Sequence, residues 1–408
     1  MALKDTSILS ENRPLAFFLS VRILSGLAMQ MLTVAVGWQI YTITGSPFYL
    51  GLVGLVQFIP MIMLTLVVGY AADHFNRKTI ICVCLVLCSL GYLFLADGSL
   101  HNRTTKESLL IIVFFIGAFN AFQGPSITSV LPNIVSREVF PKAAALQASS
   151  FMLASILGPA LGGLLYAAGA YIVYSVGAVF LLVAGVLVLF LPIAQDKTKR
   201  EAANFKSVFA GISFIKSKPI ILGAISLDLF AVLFGGATAM LPVYAAKILI
   251  IGPLGLGILR AAPAVGALIM SFYLARHPLE KNVGITMFIC VMIFGLATIV
   301  FSLSKTFALS LAALAILGAS DVVSMVVRST IVQIETPDNL RGRVNSVNQM
   351  FIGTSNQLGE FESGVLASWL GVVPSVLLGG IGTIIVVLVW MKLFPSLVKV
   401  DKLTNLQE

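Results

Sequence analysis

Residues 48–72 read FYLGLVGLVQFIPMIMLTLVVGYAA, residues 73–78 read DHFNRK, and residues 79–98 read TIICVCLVLCSLGYLFLADG. Two apolar runs flank a polar knot of six residues. About 20 apolar residues in a helix cross the hydrocarbon core of a bilayer, so the stretch predicts two crossings joined by a short loop. Inside the bilayer no water can bond the backbone, which makes each crossing helical. Arg77 and Lys78 mark the loop as cytoplasmic, because loops rich in Lys and Arg stay inside.

The rest of the 408-residue chain repeats this pattern. Hydrophobic residues make up 58% and charged residues 11%, against roughly 25% charged in a soluble protein; mean hydropathy is +1.01. Aqueous cores cannot hide that much apolar surface. The net charge of +9 does not signal nucleic acid, since the basic residues sit in short gaps and not along one stripe with interleaved aromatics. Cys82, Cys84, Cys88 and Cys290 lie within apolar runs with no His or carboxylate interleaved. They read as small apolar helix residues, and no metal or cofactor is expected. The polar start, Met1 to Arg13, leads into an apolar run too long for a signal-peptide core and lacking a small-residue cleavage site. The first helix is therefore expected to direct insertion itself.

Twelve spans are predicted, at 15–43, 48–72, 79–98, 107–131, 143–168, 170–192, 219–246, 254–275, 283–304, 307–332, 344–368 and 372–394. Thr44-Gly45-Ser46-Pro47, Ala168-Gly169 and Gly252-Pro253 supply turns between them. The gap at 193–218 is the longest and most charged. The expected organisation is a six-helix bundle over 1–192, a cytoplasmic loop over 193–218, a second six-helix bundle over 219–394 and a cytoplasmic tail over 395–408. Within the loop, Phe205 to Ile215 has helical apolar spacing suited to a membrane surface. Of the 26 Lys and Arg, nineteen fall in inner segments, four in outer loops (Arg103, Lys106, Lys247, Lys305) and three inside spans (Arg22, Arg260, Arg328). That bias puts both termini in the cytoplasm. A shift of 201 residues lays Leu131–Gly163 over Val332–Gly364, matching Lys142 with Arg343, Leu157-Gly158 with Leu358-Gly359, and Gly163 with Gly364. The shared pattern of helix end, polar loop and new helix supports two repeats.

Three stretches carry a family resemblance. Gly69-Tyr-Ala-Ala-Asp73-His-Phe-Asn76-Arg77-Lys78 resembles motif A of the major facilitator superfamily, Gly-x-Leu-Ala-Asp-Arg-x-Gly-Arg-Lys. His74 replaces its Arg and Asn76 its Gly; Asn also tolerates left-handed turn geometry. The equivalent loop of the second half, 276–281, is degraded. Ala145, Ala154, Gly158-Pro159 and Gly162-Gly163 resemble the antiporter motif C, with Ala at its first two Gly positions. Small residues let helices approach closely and Pro159 frees a carbonyl. The junction Arg328 to Val344 contains Thr336-Pro337-Asp338 and the arginines Arg341 and Arg343. With Trp38-Gln39 and the Thr44–Pro47 turn, it resembles the drug:proton antiporter branch that includes enterobactin-exporter-like proteins. The resemblance implies an all-α major facilitator fold of two six-helix pseudo-repeats. It also implies a bacterial inner-membrane location and a monomeric antiporter exchanging a small molecule for protons. Asp73 would latch against the start of span 11, and Gly158, Pro159, Gly162 and Gly163 would mark an exporter. The bland alternatives are an inside-positive loop and generic small-residue packing.

An ionisable side chain at mid-bilayer costs about 2.5–3.5 kcal/mol on insertion scales, so each one is a candidate functional group. In span 1, Arg22, Gly26, Gln30, Thr33 and Gly37 fall within a sector of about 80°. In span 4, Gly117, Asn120, Gly124 and Thr128 share a face. The resemblance implies that helices 1 and 4 line the central cavity, so both faces are expected to be cavity walls, with small-residue packing as the alternative. Asp228 in span 7 and Asp321 in span 10 are proton-coupling candidates. Ser324 and Arg328 share the Asp321 face, so a fixed Asp321–Arg328 pair is the competing reading. Glu360 and Glu362 in span 11 point about 200° apart, and Arg260 is a candidate partner for either.

Three function classes compete. A proton-driven exporter of a siderophore or an amphipathic drug-like compound accounts for the acids and the Gly-Pro motif. A passive facilitator or importer accounts for the topology alone. A membrane enzyme or receptor would need a catalytic constellation or a soluble domain; His74, His101 and His277 are scattered in loops and no Walker sequence is present. The charge bias yields a direct check: reporter fusions after residue 205 and at the C-terminus should read cytoplasmic, and one at Asn102 external. An external signal at 205 would overturn this topology.

Overall fold

The computed structural model describes residues 12–64, 67–68, 71, 75–192 and 205–401. Twelve helices follow the predicted spans: α1 (Arg13–Thr44), α2 (Pro47–Met63), α3 (Arg77–Leu100), α4 (Lys106–Thr128), α5 (Phe140–Ala168), α6 (Ala170–Leu189), α7 (Pro219–Phe234), α8 (Gly252–Arg276), α9 (Val283–Leu303), α10 (Phe307–Glu335), α11 (Asp338–Leu370) and α12 (Val372–Leu393). No strand occurs among the described residues. Glycine turns at left-handed φ join several of them, with 63° at Gly45, 151° at Gly169 and 68° at Gly252.

Among the described residues ten helical segments are long and apolar enough to cross a membrane. The other two spans miss that standard for separate reasons. The described part of α2 is 17 residues long. Helix α11 has 33 residues, but it carries Asn356, Gln357, Glu360 and Glu362 within two turns.

The structure corrects the sequence reading at span 7 and adds to it after residue 205. Span 7 is not one regular helix to 246. It ends at Phe234, passes through a 3-10 segment (Gly236–Met240) and closes in a wider π turn (Tyr244–Ile248). Gly235-Gly236 and Pro242 weaken the regular ladder there, and Gly236 presses on the Gly359 carbonyl of α11. The segment after residue 205 forms a helix (Phe205–Ser217), but part of its apolar stripe is buried against protein and not left for lipid. Ile215 joins Ile221, Ile225, Val332, Val344 and Val347 in one cluster.

Two compact units are present. The first comprises Met1–Thr44, Val56–Ala202 and Gly252–Ala261; the second comprises Gly45–Leu55, Ala203–Ile251 and Ala262–Glu408. Each therefore takes in a short piece from the opposite half of the sequence. In the second unit Ala224, Leu227, Met287, Phe288, Val327 and Val387 belong to one buried apolar cluster, and Thr383 donates from its hydroxyl to the Ala231 carbonyl at 3.0 Å.

The first unit is tied by buried polar bonds between helices. Tyr92 donates to the Ala28 carbonyl at 3.0 Å, and Ser89 to the Ala178 carbonyl at 3.1 Å. Gln39 is the hub of a chain. Its Oε1 accepts from the Tyr174 hydroxyl at 2.6 Å, and its Nε2 donates to Ser99 Oγ at 3.0 Å, so one side chain links α1, α3 and α6. Stranding a buried hydroxyl costs about 1–3 kcal/mol, whereas removing both partners is nearly neutral. Gln39→Leu should therefore lower the melting temperature of the purified protein, and the double change Gln39→Leu/Tyr174→Phe should recover much of the loss. A double variant less stable than Gln39→Leu alone would contradict the pairing.

Candidate functional site

The second unit holds a buried charge centre. Arg328 of α10 and Asp228 of α7 form an ion pair, with the two residues only 4% and 7% exposed. Helix α10 carries Asp321 seven residues before Arg328, about 10 Å along the axis. The alternative of a fixed Asp321–Arg328 pair is thus answered: the guanidinium is held by Asp228. Asp321 forms no ion pair among the described residues. Instead it faces a small cavity of about 10 Å³ with Asp228, Ser320, Ser324, Val291 and Phe294. That space suits about one water, and its polar lining could hold one. Arg328 Nε is buried with no hydrogen-bond partner among the described residues.

The acids of α11 go elsewhere. Glu360 approaches α2, where its Oε2 lies 2.6 Å from the place a methyl would take on Gly54. Glu362 accepts from the Ser363 hydroxyl at 3.4 Å. Arg260 lies in the first compact unit and both glutamates in the second.

The polar face of α1 is divided among several uses. Arg22 lines a pocket of about 360 Å³ with Thr128, Phe140, Gln147 and Phe151. Asn120 lines a separate space of about 20 Å³ with Ser25, Met29, Tyr92 and Gln123, and donates to Met29 Sδ at 3.6 Å. Gln30 packs on Gly158, and Thr33 donates back to the Met29 carbonyl at 2.9 Å. Ser324 lies in the second unit's cavity. The sequence reading overlooked Gln147, Ser25 and Gln123; a polar residue inside an alanine-rich stretch, as at Gln147, was the available signal.

The motifs have concrete structural tasks. Gly69 and Asp73 lie outside the described residues. Asn76 is not left-handed: at φ −65° it caps α3, accepting from the Lys78 backbone N–H at 2.9 Å. Arg77 opens α3, and Lys78 Nζ donates to the Leu189 and Leu191 carbonyls at 2.6 and 3.2 Å. There a cation meets the negative end of α6. Arg341 pairs with Asp338 at 2.7 Å in the first turn of α11, and the Arg343 carbonyl meets Gly211 of the Phe205–Ser217 helix.

The Gly-Pro motif of α5 has two faces. Gly158 and Gly162 receive Gln30 and Met31 of α1, while Pro159 and Gly163 receive Pro253 and Gly257 of α8. The 201-residue repeat reproduces the second contact. A methyl on Gly51 of α2 would lie 2.9 Å from the Glu360 carbonyl and 3.0 Å from Cα of Gly364. Gly257 correspondingly abuts the Pro159 carbonyl, and a methyl added to it would lie 3.1 Å from Cα of Gly163. Only glycine lets backbones meet this closely.

Comparison with known proteins agrees with this architecture. The family profile described as Major Facilitator Superfamily matches residues 18–360. An enterobactin exporter EntS of Citrobacter koseri is 27% identical over 389 residues, covering 94% of this chain and 92% of the relative. One from Escherichia coli O1:K1 / APEC is 26% identical over 376 residues, covering 91% and 89%. Among solved structures, the nucleoside transporter NupG has a TM-score of 0.67 at 15% identity, covering 93% of this chain and 99% of that one. A bacterial homologue of the human lysosomal transporter Spinster, inward-facing and unoccupied, has a TM-score of 0.72 at 15% identity, covering 95% and 96%. At that identity the two structures speak to the fold alone.

Close packing of α5 on α1 is testable. Gly158→Leu should lower the melting temperature of the purified protein, because the added side chain meets Gln30. The neighbouring Leu157, 44% exposed, is the control, and Leu157→Ala should change little. Equal melting temperatures for Gly158→Leu and wild type would remove the steric requirement.

Proposed function

The chain belongs to the Major Facilitator Superfamily, and from that premise we propose that it exports a small organic molecule by proton-coupled alternating access. It is a multi-pass membrane transporter, with the bilayer and a small-molecule substrate as partners. The setting is the bacterial inner membrane, with both termini cytoplasmic and the monomer as the working unit. The bundles over 1–192 and 219–394, joined by 193–218, are the bodies that move. Similarity to enterobactin exporters over nine-tenths of the chain supports a siderophore as substrate, with amphipathic drug-like compounds next. The small-residue seat built by Gly158, Pro159, Gly162 and Gly163 supports export over import.

The observation that carries the coupling is Asp321, facing a water-sized cavity beside an acid already paired with Arg328. Asp228 and Arg328 cancel each other, so Asp321 sets the net charge of the centre. Ionised, the centre carries one negative charge; protonated, it is neutral. A net charge is costly to seal away from water and a neutral centre is not. Loading Asp321 with a proton from the outer side would thus permit the passage back to the inner side, where the proton leaves and substrate enters. Arg328 stays protonated throughout and acts by holding Asp228. Asp73 of the Gly69–Lys78 motif is the cytoplasmic latch in this reading, and Arg77, Lys78, Arg341 and Arg343 complete the gating motif that the family resemblance implies. Glu360 and Glu362 are the reserve candidates for the proton site.

In proteoliposomes with an imposed pH gradient, Asp321→Asn should abolish uphill export, flatten its pH dependence and retain substrate binding. Asp228→Asn leaves Arg328 buried without its partner, a loss of about 3–5 kcal/mol, so it should first reduce folded protein. Asp228→Asn/Arg328→Gln should recover folding. Uphill export by Asp321→Asn with wild-type pH dependence would move the site to Glu360 or Glu362, or end the proton reading.

A further inference from the structure

We infer that the Arg22 pocket of the first unit is a binding site for an organic anion with an aromatic body, the substrate's acidic group docking on the guanidinium. This rests on the transport reading above and adds the chemistry of what is carried. The pocket, about 360 Å³, falls in the range of small-molecule sites, roughly 300–1,000 Å³. Its polar groups are few, and the one charged among them is cationic. Arg22 offers charged donors, Gln147 an amide, and Thr128 a hydroxyl already given to the Gly124 and Pro125 carbonyls at 3.1 and 3.0 Å. Phe140 and Phe151 stand at its walls, 38% and 58% exposed, with alanines of α5 between them.

The sign of the site is unbalanced. Arg22 forms no ion pair among the described residues. The described carboxylates of that unit, Asp97, Glu107 and Glu138, lie at helix ends or in a turn. Asp97 contacts His101 and Glu107 contacts Lys106. A guanidinium inside a span is costly, and it presents a planar fork matched to carboxylate, sulfonate or phosphate. In the second unit the equivalent cost is met by Asp228. In the first it is left for a ligand to meet. The exposed rings add apolar contact for the ligand's body, so recognition needs charge and aromatic surface together.

The same anionic chemistry could come from a lipid headgroup, because Arg22 lies about 13 Å along α1 from Arg13 and a long side chain can reach toward an interface. The experiment separates the two. The full chain, in zwitterionic phosphatidylcholine nanodiscs, is titrated with radiolabelled 2-naphthoate, with neutral 2-naphthamide as competitor. A charge-assisted bond of about 1.5–3 kcal/mol corresponds to a loss of at least about tenfold in affinity for Arg22→Gln. Arg22→Lys, which keeps the charge but not the planar fork, should bind more weakly than wild type and more tightly than Arg22→Gln, Phe151→Ala should weaken binding, and naphthamide should compete at least about tenfold less well than unlabelled naphthoate. Each variant is first checked for a single monodisperse peak.

Binding by Arg22→Gln within twofold of wild type, equal competition by naphthamide, or no binding of naphthoate by wild type at millimolar concentration would overturn the inference. Displacement of naphthoate when phosphatidylglycerol replaces part of the disc lipid would overturn the substrate assignment and give the pocket to a headgroup. Binding is read without a gradient. A chain that binds naphthoate through Arg22 but drives no transport would therefore defeat the exporter reading alone. Uphill export and naphthoate binding both indifferent to Arg22→Gln would defeat this inference alone.

Discussion

Everything in this protein follows from the need to satisfy the backbone without water. In the hydrocarbon core an unpaired N–H or C=O is too costly to leave, so each crossing closes its own hydrogen bonds as a helix. That requirement removes the usual source of stability. Lipid is as apolar as leucine, and the helices gain little by hiding apolar side chains from it. What remains is close packing and polar bonding between helices. The structure uses both: the Gly163–Gly257 and Gly51–Gly364 contacts for the first, and the Tyr174–Gln39–Ser99 chain for the second.

The same constraint explains why the few intramembrane charges are informative. Arg328 is held by Asp228, which neutralises both and leaves Asp321 to decide the charge of a water-sized space. Arg22 opens on a larger pocket. The repeat sharpens the contrast. Pro159 and Glu360 occupy equivalent positions, and each presents its backbone carbonyl to a glycine of another helix. The backbone task is shared, while one side chain frees a carbonyl in its own helix and the other adds an acid.

Several elements were legible in the residues themselves. Length and hydropathy gave the crossings, since a bilayer's thickness converts directly into residues per helix. The Gly45, Gly169 and Gly252 turns came from residues that tolerate positive φ. The 201-residue shift paired Gly163 with Gly364, and both glycines prove to sit at matching close contacts. The division of Glu360 from Glu362 followed from helical angle alone. The irregular backbone after Phe234 was not legible, because Gly235-Gly236 and Pro242 only permit it; in the structure Gly236 lies close against α11. The Phe205–Ser217 helix was legible as amphipathic, but amphipathicity does not say whether lipid or protein covers the stripe.

The sequence by itself determined which side chains lie inside the membrane and on which face of which helix, because both follow from period and length along one chain. Only the tertiary structure decided their partners. In sequence Asp321 shares a helix face with Arg328 and is its natural partner; the structure pairs Arg328 instead with Asp228 of α7. Arg22, Gln30 and Thr33 share a face of α1 and Asn120 a face of α4 in sequence; the structure gives them a pocket, a glycine contact, a backbone bond and a separate small cavity. A helix fixes angle and height for each side chain, but what stands opposite is set by another helix dozens of residues away. No local rule carries that information.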